Sequence, residues 1–371
     1  MKVVHIAEWE QSTGGAFNVL INLISNFSEM ETLIEIHVIS FSDRNETLFK
    51  NGYTIHLIKY VDFPTARYWY LPKLLKQKII EIDPDIIHLH FTYPPYSFVS
   101  KLSIPTVITT HGLSSINVKG SRSKRNYLNF RFILDPYFEK KALSDADRII
   151  TVSEYMKNRV DKILGMNSKT VYIPNGVDCN KYNYIENSYK RNHFSIFYLG
   201  RLLKIKGLDI LIKALPIVKK SIPDIHLYVA GNGSQCEKIR VLVRELGLER
   251  NVTFLGFIYS EREKIDTLKS MDIFAIPSRF ESSSIVLIEA LAAGIPVVAT
   301  NVGGMPEILD YGKYGILVEP DNPVRLAEGI IKLLDNPELR RKLSEDGKER
   351  VKDYSWDKIT KKTIEVYHSI I

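Results

Sequence analysis

Short apolar runs alternate with helix-period segments along almost the whole chain, and they do so in two successive series. The first series places apolar runs at Lys2 to Ala7, Glu35 to Ser40, Thr54 to Ile58, Ile86 to Leu89, Thr106 to Thr110 and Arg148 to Val152, with helical patterns at Tyr70 to Ile82 and Asn126 to Leu143. Runs this apolar read as strands covered on both faces, since a half-exposed strand would alternate apolar with polar residues. The pattern restarts at Phe194, with strands at Ser195 to Leu199, Asp224 to Ala230, Asn251 to Leu255, Ile273 to Ile276, Pro296 to Ala299 and Gly315 to Val318. Strand and helix in alternation predict α/β domains built on mainly parallel sheets. Asn180 to His193, polar, tyrosine-rich and without sustained periodicity, reads as the linker. It separates a domain over 1–185 from one over 186–355, followed by a terminal helix over 356–371. The length, 371 residues, suits two such domains. Trp356 and Ile364 fit a terminal helix that crosses back to the first domain, and internal packing explains them equally.

Ligands of open α/β sheets bind at the carboxyl ends of the strands. The strand ending at Ile276 leads through Pro-Ser-Arg-Phe to Glu281, then Ser282, Ser283 and Ser284, and into a helix that begins near Ile285 and carries Glu289. The start of that helix leaves backbone N–H groups without an intrahelical partner, a setting suited to an anion. Carboxylates placed there need neutral partners, and because an ionised carboxylate only accepts hydrogen bonds, sugar hydroxyls satisfy it. An exposed Glu281 and a surface ion pair at Glu289 account for the spacing equally well. A second basic turn, Gly200-Arg201 to Lys206-Gly207, sets two cations against a helix start, as a phosphate requires. Lysines near a helix start also serve solubility. Gly14 and Gly15 after the first strand allow a ligand to approach the backbone, or form a tight turn. His111 follows the strand Thr106 to Thr110 at a ligand-facing end, whereas Asp83, Asp85, His88 and His90 read as structural. Gly231-Asn-Gly233 and Asn301-Val-Gly303-Gly304 are turns into further helices.

Several chemistries are disfavoured. The first strand is not followed by GxGxxG, and GxxxxGK[ST] is absent, so neither the dinucleotide nor the Walker loop is present. Two cysteines, Cys179 and Cys236, form no CxxC, and nine histidines include no HExxH, so no metal site is expected. The hydrophobic share of 45% marks a folded protein. No apolar run reaches about 18 residues and no signal-peptide pattern opens the chain, so a cytoplasmic protein is expected. The formal charge of +7 is concentrated, together with aromatic residues, in segments 59–78 and 116–141. These suit an anionic membrane surface, which would make the protein peripheral at the inner face of the plasma membrane; solvated helix faces over buried rings fit as well. No nucleic-acid motif accompanies the charge, and no nucleic-acid partner is expected.

Taken in order, Gly14-Gly15, His111-Gly112, Pro174-Asn-Gly-Val-Asp178, Gly200-Arg201 with Lys206-Gly207, Gly231-Asn-Gly233, and Glu281 with Glu289 ahead of Ala-Leu-Ala-Ala-Gly294-Ile-Pro resemble the retaining GT-B glycosyltransferases of family 4. The resemblance spans nearly the whole chain. It implies two Rossmann-like domains facing a central cleft, a UDP-sugar or GDP-sugar donor held chiefly by the second domain, a glycan or lipid-linked acceptor on the first, and no obligatory metal. By that resemblance, Arg201 and Lys206 clamp the diphosphate, Glu289 meets the ribose, and Glu281 meets a donor-sugar hydroxyl. His111 contacts the transferred sugar, Gly15 lets the first loop approach the phosphates, and Gly233, Ser283, Ser284, Ile285, Gly303 and Gly304 complete the donor site. Many relatives carry an aromatic residue and a glycine after the first glutamate, where this chain has Ser283 and Ser284, which puts sugar identity in doubt. Two other readings are a nucleotide-sugar epimerase of the same fold and a non-catalytic membrane- or nucleic-acid-binding module.

Overall fold

The computed structural model describes residues 1–7, 15–29, 33–50, 52–60, 70–90, 99, 102–113, 131–165, 169–183 and 193–371. Residues 61–69 of the first basic aromatic segment and 116–130 of the second lie outside the described residues. The chain divides into two units, Met1–Gly176 with Trp356–Ile371, and Val177–Ser355.

The first unit is built on β1 (Lys2–Ile6), β2 (Glu35–Ser42), β3 (Glu46–Lys50), β4 (Tyr53–Lys59), β5 (Ile86–Leu89), β6 (Thr106–Thr110), β7 (Arg148–Thr151) and β8 (Thr170–Tyr172). They form one sheet in the order β3-β4-β2-β1-β5-β6-β7-β8. Every pairing is parallel except β3 with β4. All residues of β5 and β6 are buried, as strands covered on both faces must be. Helix Leu71–Ile82 covers part of one face by sinking Leu75 and Ile79, each worth roughly 1.5–3 kcal/mol of burial.

Two strands depart from the sequence expectation. β3 was not anticipated because it is a mostly exposed edge with Glu46, Thr47 and Lys50 among its five residues, so no buried run marks it. β8 was not anticipated either, because it is only three residues long and leads directly towards Pro174.

The terminal helix Trp356–His368 belongs to the first unit. Its Tyr367 is fully buried, with its ring 6.0 Å from that of Phe27 on helix Gly15–Glu29. Trp356 lies so close to Gly176 that a Cβ there would stand 2.5 Å from the indole. Among the described residues no helix is long and apolar enough to cross a membrane.

The second unit carries β9 (Ser195–Leu199), β10 (His226–Ala230), β11 (Val252–Gly256), β12 (Ile273–Ile276), β13 (Val297–Thr300) and β14 (Ile316–Val318), all parallel. Their order is β11-β10-β9-β12-β13-β14. Successive residues of β9 face opposite layers. Ile196 and Tyr198 join the core with helices Leu208–Ser221 and Pro323–Leu334, and Phe197 joins Phe274 and helix Ile285–Ala293. The chain leaves β9 for β10 on one side and later places β12 on the other, so the strand order reverses between β9 and β12. In open sheets of this kind the carboxyl ends of the strands at such a reversal border the crevice that takes ligands.

Candidate active site

Two loops of the second unit meet at this reversal. β9 leads into Gly200, Arg201 and the short 3-10 turn Lys204–Lys206, and β12 leads into Pro277, Ser278, Arg279, Phe280 and Glu281. Gly207 joins the first loop to its helix at φ +67, and a Cβ there would lie 1.9 Å from the Pro277 carbonyl oxygen. Only glycine allows so close an approach.

The loops also meet through side chains. Lys206 Nζ donates to Glu281 Oε1 at 2.6 Å, and Ser278 Oγ donates to the same oxygen at 2.9 Å. Glu281 is nearly buried, with 8% of its side chain exposed against 23% for Lys206. The carboxylate therefore lies beneath the ammonium, and the cation keeps a solvent-facing side. Arg201 is exposed, and its guanidinium makes no hydrogen bond or ion pair among the described residues, while its carbonyl accepts from the Leu203 N–H and the Tyr198 hydroxyl. Gly233 packs on the Leu202 carbonyl of the same basic loop.

Beyond Glu281 the chain enters helix Ile285–Ala293. Ser284 is its N-cap at φ −109, yet its hydroxyl caps no backbone N–H and, although buried, has no hydrogen-bond partner among the described residues. Ser283 and Ile285 flank it, both half-buried. The first turn thus keeps uncapped N–H groups beside Glu281, with the positive end of the helix dipole towards the crevice. Gly304 donates its N–H to the Glu281 carbonyl at 3.1 Å, and Gly303 lies against the same carbonyl.

Glu289, on the next turn of that helix, pairs with Lys264 of helix Glu261–Lys269 at 2.5 Å. Burial raises its pKa, opposed by the Lys264 charge and hydrogen bond. The two glutamates are thus held by different lysines. Lys264, Ser278 and Arg279 were missed by sequence reasoning. Arg279 stood inside the very stretch that drew notice, and nothing local marked Lys264.

His111, in the first unit, follows β6 and keeps part of its surface exposed, while burial of the imidazole lowers its pKa to about 4. Its ring stacks on His90 with centroids 6.0 Å apart and planes at 17°. Behind it, His5 Nδ1 and His90 Nε2 are hydrogen-bonded at 3.0 Å, and His88 bonds the Tyr367 hydroxyl through Nδ1 at 2.6 Å and Thr109 Oγ1 through Nε2 at 2.7 Å. One ring nitrogen from each of His5, His88 and His90 lies within 4.8 Å of the other two, a grouping that could hold a metal ion. Both nitrogens of His88 are engaged in hydrogen bonds, and its ring stacks on His90 with planes at 27°. Gly15, assigned to the same donor site by resemblance, is the first residue of helix Gly15–Glu29.

These imidazoles make the first unit acid-sensitive. Burial lowers the His5 pKa to about 3, and it also depresses His88 and His90 well below the ordinary value. The unfolded chain then binds protons that the fold refuses, so stability is full above pH 6.5 and is lost as pH falls from 6.5 towards the folded pKa values. At pH 5 the His5 ring alone costs about 2 kcal/mol. Urea unfolding of the first unit at pH 7.5 and pH 5 is expected to show this fall, with a shallower one in His5→Gln; identical pH dependence in parent and variant would remove His5 from the account.

Comparison with known proteins matches both halves of the chain. The family described as "Glycosyl transferases group 1" matches residues 185–350, and "Glycosyltransferase Family 4" matches residues 13–181. An uncharacterized glycosyltransferase of Methanocaldococcus jannaschii is 31% identical over 376 residues, covering 100% of this chain and 99% of the relative. The phosphatidyl-myo-inositol mannosyltransferase of Mycobacterium tuberculosis is 31% identical over 308 residues, covering 80% of this chain and 76% of the relative. Among solved structures, sucrose-phosphate synthase from Thermosynechococcus elongatus superposes with TM-score 0.81 at 20% identity, covering 99% of this chain and 98% of the other. Anabaena HepE in complex with UDP and glucose gives TM-score 0.75 at 20% identity, covering 100% of each chain. With two parallel-sheet units of this topology and sequence matches over both of them, the chain belongs to the GT-B glycosyltransferases of group 1 and family 4.

Proposed function

We propose that the chain transfers a sugar, with retention of the anomeric configuration and without an obligatory metal, from a UDP- or GDP-linked donor to a hydroxyl of a glycan or lipid-linked acceptor, in cell-surface polysaccharide or glycolipid synthesis. The observation that carries this reading is the Lys206 ammonium poised on the nearly buried Glu281 carboxylate at the strand-order reversal, beside an uncapped helix start. A diphosphate entering there meets Lys206, the exposed Arg201 and the N–H groups around Ser283, Ser284 and Ile285, all donors for an anion. Glu281 Oε1 is already engaged by Lys206 and Ser278, so its remaining acceptor capacity falls to a donor-sugar hydroxyl. Glu289 accepts from the ribose hydroxyls while Lys264 offsets its charge. His111 takes a contact with the transferred sugar on the strength of its motif. The neutral imidazole that burial enforces can give or accept a hydrogen bond without adding charge.

In the reaction the acceptor oxygen bonds the anomeric carbon as the bond from that carbon to the phosphate oxygen breaks, both on one face of the sugar. The acceptor proton passes to the departing phosphate oxygen, and the growing charge on the diphosphate is met by Lys206 and Arg201. The names of two relatives agree in chemistry: HepE was solved with UDP-glucose, and the mycobacterial enzyme is named for a lipid acceptor.

A panel of UDP- and GDP-linked sugars titrated into the full chain is expected to give binding to at least one donor, with slow hydrolysis of that donor when acceptor is absent. Calorimetry and nucleotide-release assays read the two effects, and a chain that binds no member of the panel is not a glycosyltransferase of this donor class.

A further inference from the structure

One guanidinium gathers the two loops of the site. Arg279 Nη1 and Nη2 donate to the two oxygens of Asp209 at 2.7 and 2.8 Å, Nη1 also donates to the Lys204 carbonyl at 2.5 Å, and Nε donates to Asp321 at 2.5 Å. The backbone N–H of Arg279 adds a bond to the Ile205 carbonyl at 2.8 Å. These partners bracket Lys206 along the chain. Lys204 and Ile205 precede it, and Asp209 stands in the first turn of the helix that follows. Arg279 itself stands two residues before Glu281.

An ordinary surface ion pair contributes little and sets no geometry. This one differs in form. The fork of two parallel bonds fixes direction as well as distance, which a single ammonium contact does not. Burial pushes the Asp209 carboxyl up, but the Arg279 hydrogen bonds and charge outweigh it, so the acid is held below its usual range and stays ionised. Lys206 reaches Glu281 on a long flexible stem. Its tip is held by Glu281, and the turn from which the stem rises is held by Arg279.

We infer that Arg279 is a positioning residue that staples the Lys204–Lys206 turn to the loop of Glu281 and so sets where the Lys206 ammonium meets the donor diphosphate. The inference rests on the phosphate role proposed for Lys206. Of the five N–H donors of its guanidinium, four already bond Asp209, Asp321 or Lys204, and one on Nη2 remains. The side chain is thus committed mainly to holding the two loops, and the double variant below separates an effect through Lys206 from a direct contact.

The test compares the affinity of the full chain for UDP with that for uridine, and for GDP with that for guanosine, using whichever pair the parent binds. The ratio of the two dissociation constants isolates the diphosphate contacts, and the nucleoside value reports that the second unit is folded. Arg279→Ala and Asp209→Asn are expected to lower the ratio about 10-fold at unchanged nucleoside affinity, with Arg279→Lys intermediate. Lys206→Ala combined with Arg279→Ala is expected to lose no more than Lys206→Ala alone, because a staple with nothing to place has no effect. If Arg279→Ala also loses the nucleoside, that variant is misfolded and Asp209→Asn decides. A ratio at the parental value in the folded variants, or a double loss equal to the product of the single ones, overturns the assignment and leaves the phosphate reading intact. A parental ratio in Lys206→Ala sinks the phosphate reading first, and the staple with it.

Discussion

Lys206→Ala is expected to lower kcat by about 10²–10³, the usual cost of removing one preorganised charge from a developing anion. The loss should fall on kcat more than on KM. A bound diphosphate already carries negative charge in the ground state, but it gains more as the glycosidic bond breaks, and only that increment appears in kcat. Lys206→Arg keeps the charge but replaces a compact ammonium with a planar fork, so it should restore part of the loss. Removing the ammonium also leaves Glu281 with Ser278 as its remaining side-chain partner among the described residues, over a carboxylate that is 8% exposed. A folding measurement on the same variant separates that cost from catalysis: a melting temperature near the parent's with kcat two orders down assigns the effect to chemistry. Steady-state turnover with the donor found in the panel decides it, and a kcat within about threefold of the parent's would end the case for Lys206 as the leaving-group cation.

The parts of this arrangement that were legible in the sequence are those written locally. Strands buried on both faces appear as apolar runs, and glycines at strand ends mark the turns, so β9, β12 and the loops carrying Lys206 and Glu281 could be found without coordinates. What those loops do to one another could not. The Lys206–Glu281 bond spans 75 positions, the Arg279–Asp209 pair spans 70, and Lys264 reaches Glu289 across 25, and no period or composition encodes such pairings. His5 and His88 illustrate a middle case. His88 reads alone as structural and nothing marks His5, yet once β1 is laid beside β5 in parallel they are register partners, and the buried imidazole cluster follows from the pairing. The edge strand β3 escaped for the opposite reason, since an exposed strand with charged side chains has no buried face to show.

Gly303→Val is expected to cost the second unit roughly 3 kcal/mol or more, lowering its melting temperature by about 6–12 °C. The backbone at Gly303 holds φ +58, and a Cβ there would stand 1.6 Å from the carbonyl oxygen of Glu281 and 2.7 Å from its carbon. No rotamer relieves a clash between a Cβ and backbone, so one of the two backbone segments must move. Gly247 provides the control: it has a similar φ of +63 and nothing within 4 Å of the same position, so Gly247→Ala carries only the left-handed penalty of about 1–2 kcal/mol. The difference between the two variants is the contact with Glu281 together with the added strain of a β-branched residue at positive φ. That carbonyl also accepts the Gly304 N–H, and the attached carboxylate holds Lys206, so a displaced backbone moves the site as well as the fold. Gly303→Val should therefore lose its preference for nucleoside diphosphate over nucleoside even at temperatures where it remains folded, while Gly247→Ala keeps it. Thermal unfolding and the paired affinities on both variants read this directly. Equal melting temperatures for the two would mean that the turn at Gly303 can yield without disturbing Glu281, and the tight seat inferred for that carboxylate would have to be abandoned.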